Sequence, residues 1–328
     1  MLSVVITTAK GEAHLARTLE ALTRIATPCA WRLIIAHNGD DEETYRTVQS
    51  FVDKLPISYV RETRRGKNYA CNAALPHLEG ELAVFTDDDV IPTRNWLTSL
   101  YAAARANPGY DIFGGRIAPL WPRQPDPWIL DWVPLGIVFA VHPPHLTEGP
   151  APAGQIWGGN MAFRTRVFKA GPRFDTTVGP NGTSDYPMGG ETEFIERLER
   201  AGYRCWFVPD AIIQHTIDES QLTRQWIMRR AYRCGRGLIR LEEGRKNLDR
   251  AGMVGALFRS LRPIPRQFLR SLRHRLQGNH QLAFKADWNL AILCGQVAEA
   301  RSRLRALDIA QPTVVPTPSR QLGDSPQP

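Results

Sequence analysis

Glu81-Leu82-Ala83-Val84-Phe85-Thr86-Asp87-Asp88-Asp89-Val90-Ile91-Pro92 is the stretch on which the fold turns. Its apolar half predicts a buried β-strand, bounded by the aspartates and the turn before Pro92. Three adjacent carboxylates repel one another and cost stability unless a cation, most simply a divalent one, is held between them. A buried strand that ends in such a cluster places the charge at the carboxyl edge of a sheet, where open α/β proteins bind their ligands. A solvated acidic turn is the plainer alternative; the strand before the cluster and the proline after it count against that.

Outward from this strand, helix and strand patterns alternate. Residues 3–8 and 32–36 predict buried strands, the second followed by the turn His37-Asn38-Gly39-Asp40. A helix is predicted over 14–24, with Leu15, Leu19 and Leu22 on one face, and others over 42–55 and 67–78. A third strand falls at 57–61. The β-α-β-α order predicts an α/β protein with a mainly parallel, Rossmann-like sheet and helices on both faces. From 116 to 152 the chain becomes proline-rich, with Trp121, Trp128 and Trp132, and reads as a long irregular excursion of the functional kind. A glycine-rich stretch at 179–190 leads into a helix over 191–201 and a strand over 203–208. Beyond Ser220 the pattern is helical and arginine-rich. The last segment, 311–328, has five prolines and few apolar residues, which predicts disorder.

With 328 residues, 43% hydrophobic and 23% charged, the chain has the makeup of an ordinary globular protein with room for one large domain and an appendage. Met1-Leu2-Ser3 runs into a strand without a basic leader, and the apolar run at 133–141 is too short to span a bilayer. Five scattered cysteines lack metal-ligand spacing and suit free thiols in a reducing cytoplasm. The net charge of +8 is uneven: residues 224–310 carry 19 Lys+Arg against 6 Asp+Glu, while residues 1–223 are net acidic. Two modules are implied, the second facing something anionic. No nucleic-acid module is recognisable, so nucleic acid is not the expected partner.

Three stretches together are telling. They are Gly66-Lys67-Asn68-Tyr69-Ala70-Cys71-Asn72-Ala73-Ala74, then Val84-Phe85-Thr86-Asp87-Asp88-Asp89, then Gly189-Gly190-Glu191-Thr192-Glu193-Phe194 with Arg197-Leu198 and Ala201-Gly202-Tyr203. In this order and spacing, from Met1 to about Gly237, the chain resembles the family 2 glycosyltransferases, inverting enzymes of the GT-A fold. The resemblance implies a catalytic domain over 1–220, with a nucleotide-sugar half to about 115 and an acceptor half after it. A basic helical region over 221–310 and the tail follow. It implies a hexosyltransferase-type enzyme with a UDP- or GDP-sugar donor, a glycan or lipid-linked acceptor, a role in polysaccharide or cell-envelope biosynthesis, and Mg²⁺ or Mn²⁺ as cofactor. The expected location is cytoplasmic, peripheral on the inner membrane's cytoplasmic face. The rival is a non-catalytic nucleotide-sugar binding or scaffold protein that keeps the fold.

The same resemblance distributes the roles. Asp89 matches the last position of the family's DXD motif and is the expected metal ligand, with Asp87 and Asp88 on the ribose or the metal's water shell. His215 is a second metal or diphosphate ligand, or a histidine satisfied by a backbone carbonyl. Thr8, Asn38, Lys67 and Asn72 fall to the nucleotide sugar, although Lys67 also reads as a surface lysine and Asn72 as a packing residue. Glu191 is the expected general base, with Glu193 as runner-up, as an acceptor contact, or as a first-turn carboxylate facing the helix dipole. Arg229 and Arg230, with Arg233 and Arg236, resemble a basic motif that closes over the diphosphate; a solvated basic face is the alternative. Trp157, Asn160 and Trp226 fall to the acceptor, and the excursion's tryptophans either stack on sugar or anchor the loop. Two departures stand out: His37 lies where the family carries a base-reading aspartate, and Cys71 replaces a common arginine. Finally, Phe268, Leu269, Leu272 and Leu276 share a helical face amid Arg266, Arg270, Arg273 and Arg275. Such a helix either lies on an anionic bilayer or packs on the catalytic domain.

Overall fold

The structure, a computed structural model, describes residues 1–9 and 12–310; the tail expected to be disordered lies outside them. The chain begins β1 (Leu2–Thr8), α1 (Glu12–Leu22), β2 (Trp31–His37), α2 (Glu42–Gln49), β3 (Ile57–Arg61), α3 (Lys67–Ala74), β4 (Leu82–Asp87). It continues through β5 (Val90–Pro92), α4 (Trp96–Ala106), β6 (Ile112–Leu120), α5 (Pro127–Trp132), α6 (Leu135–Phe139) and β7 (Gly149–Pro150). Then come β8 (Asn160–Arg164), α7 (Arg166–Lys169), α8 (Gly190–Arg200) and β9 (Cys205–Thr216). Four helices close the described chain: α9 (Arg224–Lys246), α10 (Arg250–Leu261), α11 (Ile264–Leu276) and α12 (His280–Ala310).

The sheet order is β3-β2-β1-β4-β8-β6-β9-β5, with β7 also on β9. The first four strands are parallel, and β8 enters antiparallel between β4 and β6. This is the α/β architecture the alternation predicts. Strand geometry divides β1 between two cores: Val4 and Ile6 pack with Leu15 and Leu19 of α1, and Val5 packs with Ala70 of α3 and Phe85. A strand buried on both faces shows no polar alternation: Val4, Val5 and Ile6 run together, and Ser3, Thr7 and Thr8 are buried with them. Helix α2 starts where Asp41 accepts the Thr44 amide at 2.8 Å, with Glu42 and Glu43 in the first turn.

Several boundaries differ from expectation, among them the helix expected over 67–78, which closes at Ala74. The excursion at 116–152 is not wholly irregular: β6 runs into it, and α5 and α6 form within it. Ile129, Val138 and Phe139 bury there against Ile227 of α9 and Phe284 of α12. The helix expected over 42–55 closes at Gln49, and turns carry Phe51 and Leu55 into the core. The strand expected to end at Val208 continues to Thr216, past Pro209, because the register against β6 shifts there. A bulge is where a strand tolerates proline.

Helices α9 and α12 approach at two glycines. A β-carbon on Gly235 would overlap the Ile292 carbonyl oxygen, and one on Gly295 would overlap that of Tyr232. Backbone on both sides leaves no side-chain end to swing away. Gly235→Ala is therefore expected to lower the melting temperature by roughly 2–10 °C, the scale of an overpacked core. An unchanged melting curve in differential scanning calorimetry would show that the helices part freely. Among the described residues, no helix is long and apolar enough to cross a membrane.

Candidate active site

A cleft of about 1190 Å³ opens at the carboxyl ends of β1, β2 and β4 and is also lined by α6, α8 and α9. Asp87 ends β4, and Asp88 and Asp89 make the turn into β5, so the aspartate row sits at the sheet edge. The register of β5 on β9 pairs Val90 with His215 and brings that histidine beside Asp89. His215 Nδ1 donates to the Phe139 carbonyl at 2.8 Å, which leaves Nε2 facing Asp89 Oδ2 at 3.3 Å. Asp89 Oδ1 and the hydroxyl of Thr8, both in the cleft wall, are buried with no hydrogen-bond partner among the described residues.

These facts test whether the residues suit a divalent cation. Burial opposes charge on Asp89, but the His215 hydrogen bond and charge, with Lys67 behind, hold its carboxyl below the ordinary range. Burial, then the charge of Asp89, pushes Asp88 up to about 6. Burial would lower His215, yet Asp89 raises it. Among the described residues, no three His, Cys, Asp or Glu side chains converge as a complete metal cage. Mg²⁺ commonly takes one or two carboxylates and completes its shell with water and substrate phosphates. One aimed carboxylate with an orphan oxygen suits such a shared site, and His215 Nε2 would add a lone pair on giving up the proton it shares with Asp89.

Lys67, at the first turn of α3, forms an ion pair with Asp87. Burial works against its charge, but Asp87 and then Glu191 hold Lys67 above the ordinary lysine range. Glu191 stands in the first turn of α8 and lines the cleft. The link between the two halves is Gly158-Gly159, ahead of β8. A β-carbon on Gly158 would meet Glu191 Cδ at 3.3 Å, and one on Gly159 would meet Asp87 Oδ2 at 3.4 Å. Glu191 and Asp87 therefore rest against neighbouring residues of one segment. Asp87 and the candidate base share a wall.

The sequence model for glycosyl transferase family 2 matches residues 3–170, about half of the chain. The chain belongs to glycosyl transferase family 2. It is a glycosyltransferase of that family. Over 232 residues it is 25% identical to the succinoglycan biosynthesis protein ExoM of Rhizobium meliloti (strain 1021), covering 68% of this chain and 69% of that protein. Over 226 residues it is 24% identical to the glucosyl-dolichyl phosphate glucuronosyltransferase of Haloferax volcanii, covering 67% of each. Among solved structures, S. aureus TarS with UDP-GlcNAc aligns at a TM-score of 0.52 and 14% identity, over 91% of both chains. The mannosyltransferase PcManGT of Pyrobaculum calidifontis, solved with GDP-Man and Mn²⁺, aligns at 0.50 and 19% identity. It covers 93% of this chain and 75% of that one. These neighbours share the GT-A fold with the family 2 enzyme described above.

Several expected site residues of this glycosyltransferase lie elsewhere. Asn72 does not line the cleft: it donates to the Phe174 carbonyl and accepts the Phe174 amide, both at 2.9 Å, and so staples the 171–189 loop. Asn160 is fully buried, bonded to the Arg116 and Ala211 carbonyls and to Trp96 Nε1. It ties β8 to its neighbours and touches no acceptor space. Glu193 is committed to Arg197 at 2.8 Å, one turn along α8. Arg229 is exposed and outside the cleft wall; Arg233, with Arg230, faces in. Trp128 and Trp132 pack on Phe284, so they anchor the loop.

Other residues stay at the cleft. Trp157 lines it, stacked on His142 with centroids 4.0 Å apart, and Trp226 lines it, stacked on Phe139. Arg230 and Arg233 both lie over the Trp226 ring, and Arg230 Nε is buried with no partner among the described residues. Asn38 also lines the cleft, but its amide holds the 62–66 loop: it donates to Arg64 O at 2.6 Å and accepts the Gly66 amide at 2.7 Å. His37 is buried, with Nδ1 at 2.6 Å from the Tyr59 hydroxyl and Nε2 at 2.8 Å from Asp41. Both ring nitrogens are spent, so this departure from the family pattern is a clamp on the turn. Asp40, exposed on that turn, has no ion pair among the described residues and lies at the same end of the cleft.

Proposed function

We propose that this family 2 enzyme is inverting and moves a sugar from a UDP- or GDP-sugar onto a glycan or lipid-linked acceptor, in polysaccharide or cell-envelope biosynthesis. The names of its relatives, a succinoglycan biosynthesis protein and a glucuronosyltransferase acting on a dolichyl phosphate glycolipid, support that acceptor class. The observation that carries the chemistry is the shared wall, with Glu191 and Asp87 against adjacent glycines and Lys67 coupled to both. In one displacement the acceptor oxygen bonds to the anomeric carbon as the bond from that carbon to the diphosphate oxygen breaks. Glu191 takes the acceptor hydroxyl's proton. Lys67, Arg230 and Arg233 bind the diphosphate, and Asp87 and Asp88 position the ribose or ordered water. Mg²⁺ or Mn²⁺ held by Asp89 and His215 would neutralise charge on the leaving diphosphate. Trp157 and Trp226 offer flat apolar faces to the acceptor sugar. In this reading the catalytic domain spans 1–220, and the basic helical region, 221–310, completes the cleft through α9.

The test is a thermal-shift screen of nucleoside diphosphates and nucleotide sugars, with and without Mn²⁺. At a hundredfold excess over Kd, a donor is expected to stabilise the protein by about 2.7 kcal/mol. The rise in melting temperature should need the metal. A protein that responds to no nucleotide in the presence of Mn²⁺ or Mg²⁺ would sink the donor assignment.

A further inference from the structure

Helix α11 is fastened to the protein by its polar edge. Ser271, its one fully buried residue, and Arg275 both meet Asp287 of α12. The four large apolar side chains point elsewhere: Phe268 is 58% exposed, Leu269 62%, Leu272 47% and Leu276 81%. Three- and four-residue spacings place them on a single stripe. Phe258, late in α10, and Leu282, at the start of α12, are also exposed. Arg266, Arg270 and Arg273 on the helix and Arg262 ahead of it are exposed. Among the described residues, none of these four arginines has a carboxylate at ion-pair distance, whereas Arg259 and Arg275 do.

An apolar stripe in water, bordered by unpaired cations, calls for a partner with both hydrocarbon and negative charge. A second copy would cover the stripe but set arginines against arginines, since an isologous contact meets its own patch. A nucleic acid would answer the arginines and leave the stripe wet. A bilayer rich in anionic lipid answers both. We propose that α11 lies in the interface of an anionic phospholipid membrane. Phe268, Leu269, Leu272 and Leu276 enter the acyl boundary, and Arg262, Arg266, Arg270 and Arg273 meet the headgroup phosphates. This deepens the reading of a lipid-linked acceptor and rests on it for its purpose; its physics stands apart from turnover.

The experiment is co-sedimentation of the full chain with vesicles of mixed phosphatidylglycerol and phosphatidylcholine, against pure phosphatidylcholine, at low and high salt. Wild-type protein is expected to pellet with the anionic vesicles at low salt only. Each arginine replaced by glutamine among Arg266, Arg270 and Arg273 should weaken partitioning about fivefold. Leu269→Ser with Leu272→Ser should abolish pelleting while melting temperature and metal-dependent donor binding stay as in wild type. Wild-type protein left in the supernatant, or a serine variant that still pellets, overturns the inference. So does light scattering that finds a wild-type dimer dispersed by the same serines. An enzyme that pellets but transfers no sugar leaves the inference standing and sinks the functional reading instead; the converse result does the opposite.

Discussion

Asp89→Asn is expected to lower sugar transfer about a thousandfold while leaving the protein folded. Asparagine keeps the shape of the side chain and a hydrogen-bonding group toward His215, 3.3 Å away, but removes the charge. If a divalent ion takes up charge on the leaving diphosphate, its ligand's charge supports several kcal/mol of transition-state stabilisation. About 4 kcal/mol corresponds to a thousandfold. Stability should fall modestly. Against the effect of burial, the His215 pair and Lys67 hold the Asp89 carboxyl below its ordinary range, so its charge stabilises the folded, metal-free protein, and asparagine gives that up while relieving only the repulsion with Asp88. The measurement is initial transfer rate against Mn²⁺ concentration, beside a melting curve in a chelator. Wild-type rates at every Mn²⁺ concentration would remove Asp89 from the role of ligand.

Which parts of this site could be read from the chain follows from the range of the forces involved. The strands were legible because burial on both faces leaves neighbouring apolar residues without alternation, as in Val4-Val5-Ile6 of β1 and Leu82-Ala83-Val84-Phe85 of β4. The aspartate row was legible because like charges at neighbouring positions need an explanation wherever they occur. Amide side chains were not. Asn72 and Asn160 find their partners across 102 and 44 to 64 residues, and nothing local distinguishes a staple from a ligand contact. Arg233 was within reach. Trp226, Arg230, Arg233 and Gly237 fall three or four residues apart, on one face of α9, and all line the cleft. Arg229, three residues from Trp226 and four from Arg233, shares that spacing, so helical phase does not exclude it; only its exposure in the folded chain does. The short helices α5 and α6 were hidden among prolines, and tertiary burial in the cluster with Phe284 overrides their weak local preference. For α11 the sequence left two environments open. The structure leaves the stripe exposed, because the helix packs through Ser271 and not through its leucines.

Glu191→Gln separates base from bystander. Glutamine has the same length and still accepts a hydrogen bond, but it does not take up a proton at neutral pH. Loss of a general base costs 10²–10⁴-fold as a rule, so transfer is expected to fall by roughly a thousandfold. Donor affinity should change little, since Lys67 keeps its pairing with Asp87 when the Glu191 charge is gone. The effect therefore belongs in kcat, with the metal-dependent thermal shift by nucleotide sugar retained. Glu193→Gln is the internal control. Its carboxylate is spent on Arg197 one helical turn away and lies off the cleft wall, so its loss should cost a little stability and leave kcat near wild type. The two substitutions are two residues apart on one helix, and single-turnover transfer with an active acceptor ranks them directly. A dead Glu193→Gln beside an active Glu191→Gln would reverse the assignment. A loss of donor binding in Glu191→Gln would make it a positioning residue for Lys67 and leave the base to be found elsewhere in the cleft.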